Sequence, residues 1–181
     1  MKPKYKPIPH GTVTSPKGFL AGATYAGIKT EGESPLDLGI LYSEAPCVIA
    51  GAFTTNKIKA APVILCQERL ERRRTQALVV NSGCANACTG EQGLADSAEM
   101  AEETARKLGI PPAEVLVAST GVIGMRLPME HIRTGIEGIL LSPEGGHQLA
   151  EAIMTTDTSP KEIEALRIFI FPRNCSDISF L

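Results

Sequence analysis

The sequence contains no tryptophan, and aromatic residues make up only 4% of its 181 residues. With 43% hydrophobic residues a sizeable core can still form, but it has to be aliphatic and alanine-rich. No charge dominates: 18 Lys and Arg against 20 Asp and Glu give a formal net charge of −2. That removes the electrostatic case for a nucleic-acid or anionic-membrane partner. Long apolar runs are missing too, and the longest fall far short of the ~20 residues that span a bilayer. There are 3 histidines, none near Cys84 and Cys88, so the two thiols lack the further ligands a metal site needs and no metal is expected. Neither a phosphate-binding P-loop nor a G-x-G-x-x-G fingerprint occurs, and no cofactor is expected. The N-terminal Met1-Lys-Pro-Lys-Tyr-Lys-Pro7 is basic but has no apolar stretch behind it, which argues against a secretory signal. Without one, the 5 cysteines read as reduced thiols of a cytoplasmic protein.

What is present centres on the stretch from Ala77 to Gly124. Ala77-Leu-Val-Val80 has the short apolar pattern of a buried strand. It runs into Asn81-Ser-Gly-Cys-Ala-Asn-Ala-Cys-Thr-Gly90, small residues and turn formers that predict a loop. A second apolar run, Val115-Leu-Val-Ala118, ends in Ser119-Thr-Gly-Val-Ile-Gly124, again a predicted loop. Between them lies a helix. Ala95, Ala98, Ala101, Ala105 and Leu108 recur at spacings of three and four and predict one packed face. Glu102–Arg106 and Glu103–Lys107 are favourable pairs on the other face. Gly109 reads as the C-terminal cap, with Pro111 and Pro112 blocking continuation.

On the N-terminal side, Phe19–Ile28 predicts a strand whose Gly22 and Gly27 signal a bulge or a close backbone approach. Leu36–Tyr42 predicts its partner, and Cys47–Phe53 a further strand. Pro62–Leu65 opens a segment that leads into charged Glu68–Arg74, whose arginine run reads as a solvated surface. On the C-terminal side, Pro128 suits the first turn of a helix with an Ile132, Ile136, Ile139 stripe. Ser142–Gly146 breaks it, and a third helix is expected over about 147–155, with Leu149, Ala152 and Ile153 inward. Successive strands followed by alternating strand and helix predict an α+β fold with a mixed β-sheet and packed helices.

Ser119-Thr120-Gly121 is the sharpest candidate for chemistry. Acyl transfer needs donors aimed at an oxygen that becomes negative in the tetrahedral intermediate. The Thr120 hydroxyl and the Gly121 backbone N–H could supply two, and glycine admits a close substrate approach. An ordinary strand-to-helix turn uses the same residue types. Asn81–Asn86 could line the same pocket, or form a structural turn closed by side-chain caps. Cys84 as a nucleophile lacks a histidine partner in sequence. Thr155-Thr156-Asp157 reads as polar substrate contacts or as a helix-end turn. A phosphate site on the glycine-rich Gly83–Gly93 segment is a rival, but no Lys or Arg lies between Asn81 and Glu103.

Taken together, Gly22-Ala23, Gly27-Ile-Lys29, Gly51-Ala-Phe-Thr-Thr-Asn56, Asn81–Gly90, Ser119–Gly124 and Ala152-Ile-Met-Thr-Thr-Asp157 occur in an order that resembles one family. That family is the bifunctional ornithine acetyltransferase/glutamate N-acetyltransferase of arginine biosynthesis, and the likeness lies in its N-terminal, α-chain part, over roughly residues 8–163. The resemblance implies half of a layered αββα-type threonine-nucleophile acetyltransferase. It implies acetyl transfer from N-acetylornithine to glutamate through an acetyl-threonine intermediate, with acetyl-CoA also accepted by some members. The family precursor cuts itself before the nucleophilic threonine, giving α and β chains that stay together, as an α2β2 heterotetramer. By that likeness Thr120 and Gly121 form the oxyanion hole, and Thr155-Thr156 holds the substrate-binding threonine, Thr156 being favoured. The family then continues through Lys-Gly-Ser-Gly to Ala-Thr-Met-Leu, whose threonine is the nucleophile. Here neither appears, and Arg167–Leu181 diverges, so the expected organisation is an acetyltransferase domain over 1–163 and a divergent tail over 164–181. A non-catalytic binding or structural remnant that keeps the pocket remains the alternative.

Overall fold

The computed structural model describes residues 5–29, 36–157, 159–162 and 165–167. The basic start Met1–Lys4, the 163/164 boundary and nearly all of the divergent tail lie outside them.

Four strands form one sheet: β2 (Phe19–Thr24), β3 (Leu38–Val48), β4 (Arg74–Cys84) and β5 (Val115–Val122), in that spatial order. β2 and β4 each pair antiparallel with β3, and β5 pairs parallel with β4, so the sheet is mixed as expected. A short antiparallel pair, β1 (Tyr5–Pro7) with β6 (Ala165–Arg167), stands apart.

The pleat sends alternate residues of each strand to opposite faces. Leu38, Ile40, Val79, Val115 and Val117 share a core with Met100, Ala101 and Ala105 of α2 (Gly90–Leu108) and Ile132 and Ile136 of α3 (Met129–Gly138). On the other face Val80 and Ala118 pack with Leu149 of α4 (Gly146–Ala152). The remaining helix, α1 (Ala61–Leu70), begins with Pro62 in its first turn and lies along β5, the edge strand.

α2 ends where the sequence places it, at Gly109 in the left-handed region with φ 68°. Its buried face keeps the expected Ala101 and Ala105, with Leu108 packed against the core, but extends to Gly93, Ser97, Met100 and Thr104, while Ala95 is exposed. Buried serine and threonine are tolerated because their hydroxyls are bonded, Thr104 Oγ1 donating to Met100 O at 2.8 Å. Ile139 completes the expected stripe at 1% exposure, whereas Ile153, expected inward, is 43% exposed because α4 stops at Ala152.

Several strand boundaries differ from expectation, and β2 stops at Thr24 rather than Ile28. The Cys47–Phe53 strand does not exist as such: Cys47 and Val48 are the far end of β3, reached through a register shift after Tyr42. β4 runs on to Cys84 and β5 to Val122, so both predicted loops begin as strand. Backbone pairing of one small-residue run with the other overrides the weak strand preference of Asn, Ser and Gly. β2 shows an unbroken register rather than a bulge, and Gly22 is instead a close approach, since a Cβ there would lie 2.1 Å from Leu140 O.

Candidate functional site at the ends of β4 and β5

The parallel register sets Asn81 beside Ser119, Ser82 beside Thr120, Gly83 beside Gly121 and Cys84 beside Val122. Beyond the sheet the same two segments stay zipped, Ala85 N–H donating to Val122 O and Gly124 N–H to Ala87 O, both at 2.9 Å. The two motifs that sequence spacing separates are therefore neighbours along their length.

Glycine at 83 and 121 is a steric requirement. Gly121 sits at φ 130°, and a Cβ on it would lie 2.3 Å from the Gly83 carbonyl carbon. Gly83, at φ 101°, itself abuts Ile28, whose carbonyl oxygen would be 2.9 Å from a Cβ. Three backbones are thus stacked: the 26–29 segment, the end of β4 and the end of β5. Asp37 fastens the stack. Fully buried, its carboxylate accepts the backbone N–H groups of Ala26 (2.6 Å), Ile28 (2.6 Å) and Lys29 (3.1 Å), and its carbonyl accepts Ser82 N–H at 2.9 Å. A buried carboxylate with three N–H donors is a satisfied and rigid anchor.

The exposed edge of the sheet explains why Thr120 and Gly121 are available. In a parallel ladder alternate residues direct both backbone groups to the same side. Val122 O points to the β4 side, while Val117 O and Val115 O point outward, where Cys66 Sγ (3.1 Å) and the Arg69 guanidinium of α1 donate to them. Burial pushes the Cys66 thiol pKa up, which keeps the S–H in place as a donor. By the same alternation Ser119 and Gly121 face outward, beyond the stretch α1 covers. Thr120, one step after Ala118, shares the α4 face of the sheet by the pleat. Thr120 is half-buried and Gly121 exposed, and the Thr120 hydroxyl is committed to no partner among the described residues. A hydroxyl and an outward N–H at one sheet corner suit an oxygen that gains negative charge.

Thr155 and Thr156 lie just past α4, both exposed. Ser82 Oγ donates to Ala152 O at 2.5 Å, which brings the end of α4 against the strand residue paired with Thr120. The end of α4, from which the chain runs on to Thr155, therefore lies against the face of the sheet that carries Ser82. Thr155 N–H donates to Asp157 Oδ2 at 3.2 Å.

Other candidates are committed elsewhere. Asn86, fully buried with φ 45°, donates to Gly93 O and Ser97 Oγ, each at 2.9 Å, and its Oδ1 accepts the Thr89 hydroxyl at 2.7 Å. Asn81 Nδ2 donates to Cys84 O at 2.9 Å. Cys84 is 1% exposed, its Sγ bonded to Met125 O, which removes it as an accessible nucleophile. Asn81 Oδ1 and Ser119 Oγ, adjacent in register, are buried without a protein partner among the described residues. Beside Ser119 opens a largely apolar cavity of about 350 Å³, walled by Gly51 and Phe53, by α1 and by β5. The Gly51–Asn56 motif thus reaches the same edge of the sheet. Among the described residues no group of His, Cys, Asp and Glu could hold a metal ion, and no helix is long and apolar enough to cross a membrane.

Asp37 was not among the residues the sequence suggests, and Ser82 was named only as part of the Asn81–Asn86 run. An aspartate inside the apolar run Leu36–Tyr42 is a readable sign of a buried, bonded carboxylate. Ser82 carries no such signal.

The sequence and the fold are similar to those of known proteins. The arginine biosynthesis bifunctional protein ArgJ of Dehalococcoides mccartyi is 55% identical over 163 residues, covering 90% of this chain and 40% of the relative. That of Symbiobacterium thermophilum is 54% identical over 157 residues, covering 86% and 39%. The chain therefore spans about 40% of the length of these curated relatives. Among solved structures, ornithine acetyltransferase of Mycobacterium tuberculosis, complexed with ornithine, superposes with TM-score 0.86 at 40% identity, covering 91% of this chain and 89% of that one. The ArgJ protein of Bacillus halodurans gives TM-score 0.81 at 42% identity, covering 87% and 83%. The α+β fold with a mixed sheet is shared with both, residues 20–171 match the ArgJ family, and the chain belongs to that family.

Proposed function

We propose that this chain is the α-chain-like portion of a cytoplasmic acetyltransferase that moves an acetyl group from N-acetylornithine to glutamate, with acetyl-CoA as a further donor to be tested. The observation that carries the reading is the uncommitted Thr120 hydroxyl beside the exposed Gly121, at a corner fixed by glycine contacts and by Asp37. In this reading a threonine Oγ attacks the acetyl carbonyl, and the carbonyl oxygen becomes an oxyanion. Thr120 and Gly121 donate to it, the ornithine amine leaves with a proton, and an acetyl-threonine ester remains. The glutamate amine then attacks that ester through a second tetrahedral intermediate with the same oxyanion donors; the acyl C–O bond breaks, the threonine oxygen takes up the proton lost by the amine, and N-acetylglutamate leaves. Thr156, with Thr155, binds the amino-acid part of the substrate.

In this reading, as the family resemblance implies, the nucleophile belongs to a β-type chain, with the two joined as an α2β2 assembly. Residues 1–163 form the working domain and 164–181 a divergent tail. Val122, Ile123 and Met125, which are 54%, 66% and 50% exposed directly after Gly121, supply apolar surface for such a partner.

The test is to follow N-acetylglutamate from N-acetylornithine and glutamate with the chain alone and with the β-type chain of a relative. Transfer is expected only with both. Turnover by the chain alone would contradict the division of roles. Failure with every β-type partner, despite complex formation, would favour the non-catalytic remnant.

A further inference from the structure

The bond from Ser82 to Ala152 has a place in the fold that packing alone does not explain. The last carbonyls of a helix have no partner within it. Ala152 O is one of these at the end of α4, and it is satisfied not by a turn of its own chain but by a fully buried serine on β4, 70 residues away in sequence. Ser82 is held in turn by its own N–H to Asp37 O, at 2.9 Å, and stands opposite Thr120 in the ladder. From Ala152 the chain runs out through Ile153 and Met154 to the exposed Thr155 and Thr156. Short local bonds hold its first steps, Ile153 N–H to Leu149 O at 3.3 Å, Met154 N–H to Glu151 O at 3.2 Å and Thr155 N–H to Asp157 Oδ2 at 3.2 Å, and it meets α4 again where Glu162 Oε2 lies 2.7 Å from His147 Nδ1. Those bonds stay within α4 and the segment itself, whereas the bond from Ser82 joins the segment's root to the sheet, on the strand residue paired with Thr120.

We infer that Ser82 is a positioning residue that fixes the Thr155-Thr156 loop against the β4 end opposite Thr120, so that substrate binding and the oxyanion donors stay in register. This rests on the proposed acetyl transfer. Ser82→Ala removes the tie, yet the Gly83–Gly121 contact, the Ala85–Val122 bond and the Asp37 anchor remain. The corner therefore persists while the loop loosens. An interaction felt equally by bound substrate and transition state appears in KM and leaves kcat in place.

Two measurements test it. In the 181-residue chain, amide hydrogen exchange at 153–156 should accelerate by roughly tenfold in Ser82→Ala, with Val79 and Val117 as protected as before. In the chain assembled with a β-type partner, KM for N-acetylornithine should rise about tenfold with kcat within about twofold. Ser82→Cys, which keeps a weaker donor, should fall between. Unchanged exchange at 153–156, or acceleration spread evenly over β4 and β5, would overturn the inference. So would raised loop exchange with an unmoved KM. If the wild-type assembly transfers no acetyl group, the functional reading fails, and the exchange result decides the tie by itself.

Discussion

The run from Asn81 to Gly90 and the run from Ser119 to Gly124 are alike in residue types, follow buried strands of similar pattern, and lie side by side. In the first, polar groups turn inward. Asn86 alone makes bonds to Gly93 O, Ser97 Oγ and the Thr89 hydroxyl, and so organises the opening turns of α2. In the second, Thr120 keeps its hydroxyl uncommitted and Gly121 is exposed. The first run is the support against which the second is set. Small polar residues after a strand thus serve two purposes, told apart by whether their hydrogen bonds are already satisfied.

Substitutions can break that contrast. The largest effect is expected from Gly121→Ala, which touches both runs. Its Cβ would meet the Gly83 and Cys84 backbone, and φ 130° is unfavourable for alanine. A loss of roughly 3 kcal/mol in denaturant unfolding, together with loss of transfer in the assembled enzyme, is expected. Asn86→Ala should separate the two properties. It removes three buried hydrogen bonds, for a loss of about 2–3 kcal/mol, while turnover per folded molecule stays near wild type. A wild-type stability together with lost turnover would reverse the roles of the two runs.

The smallest effect is expected far from both runs, at His147. The side-chain bond to Glu162, then the charges of Glu162 and Glu151, raise its pKa above the ordinary 6.5. Because the folded-state value is the higher one, the stabilisation is present below pH 6.5 and is lost as pH rises through the raised value. His147→Gln should remove this small pH dependence, seen as a flatter stability profile from pH ~6 to ~8, without changing turnover. A steeper profile in the variant would contradict the assignment.

Much of this was legible in the sequence for specific reasons. The interiors of β4 and β5 are apolar runs of four, and α2 carries both its period and its Gly109 stop, so local pattern and tertiary environment agree. The ends of the strands were not legible, because Asn-Ser-Gly-Cys and Ser-Thr-Gly-Val have loop chemistry and become strand only by pairing with one another. Cys47 and Val48 were misplaced because a register shift within β3 leaves no composition signal. The inward face of α2 was read only in part, through Ala101, Ala105 and Leu108, because Ser97 and Thr104 are buried through bonds that periodicity does not encode. At the site, Thr120 and Gly121 could be nominated from residue type. Their dependence on Asp37 and Ser82 arises from contacts between distant segments.

The central claim is that Thr120 acts on charge that develops only in the transition state, and the most direct measurement is the steady-state kinetics of Thr120→Ala in the chain assembled with a β-type partner. Removal of one oxyanion donor should lower kcat by about 10²–10³, with KM nearly unchanged. Thr120→Ser should keep most of the activity, and both variants should unfold at the wild-type denaturant midpoint. An alanine variant that loses stability yet keeps its rate per folded molecule would make Thr120 a structural residue and contradict the account.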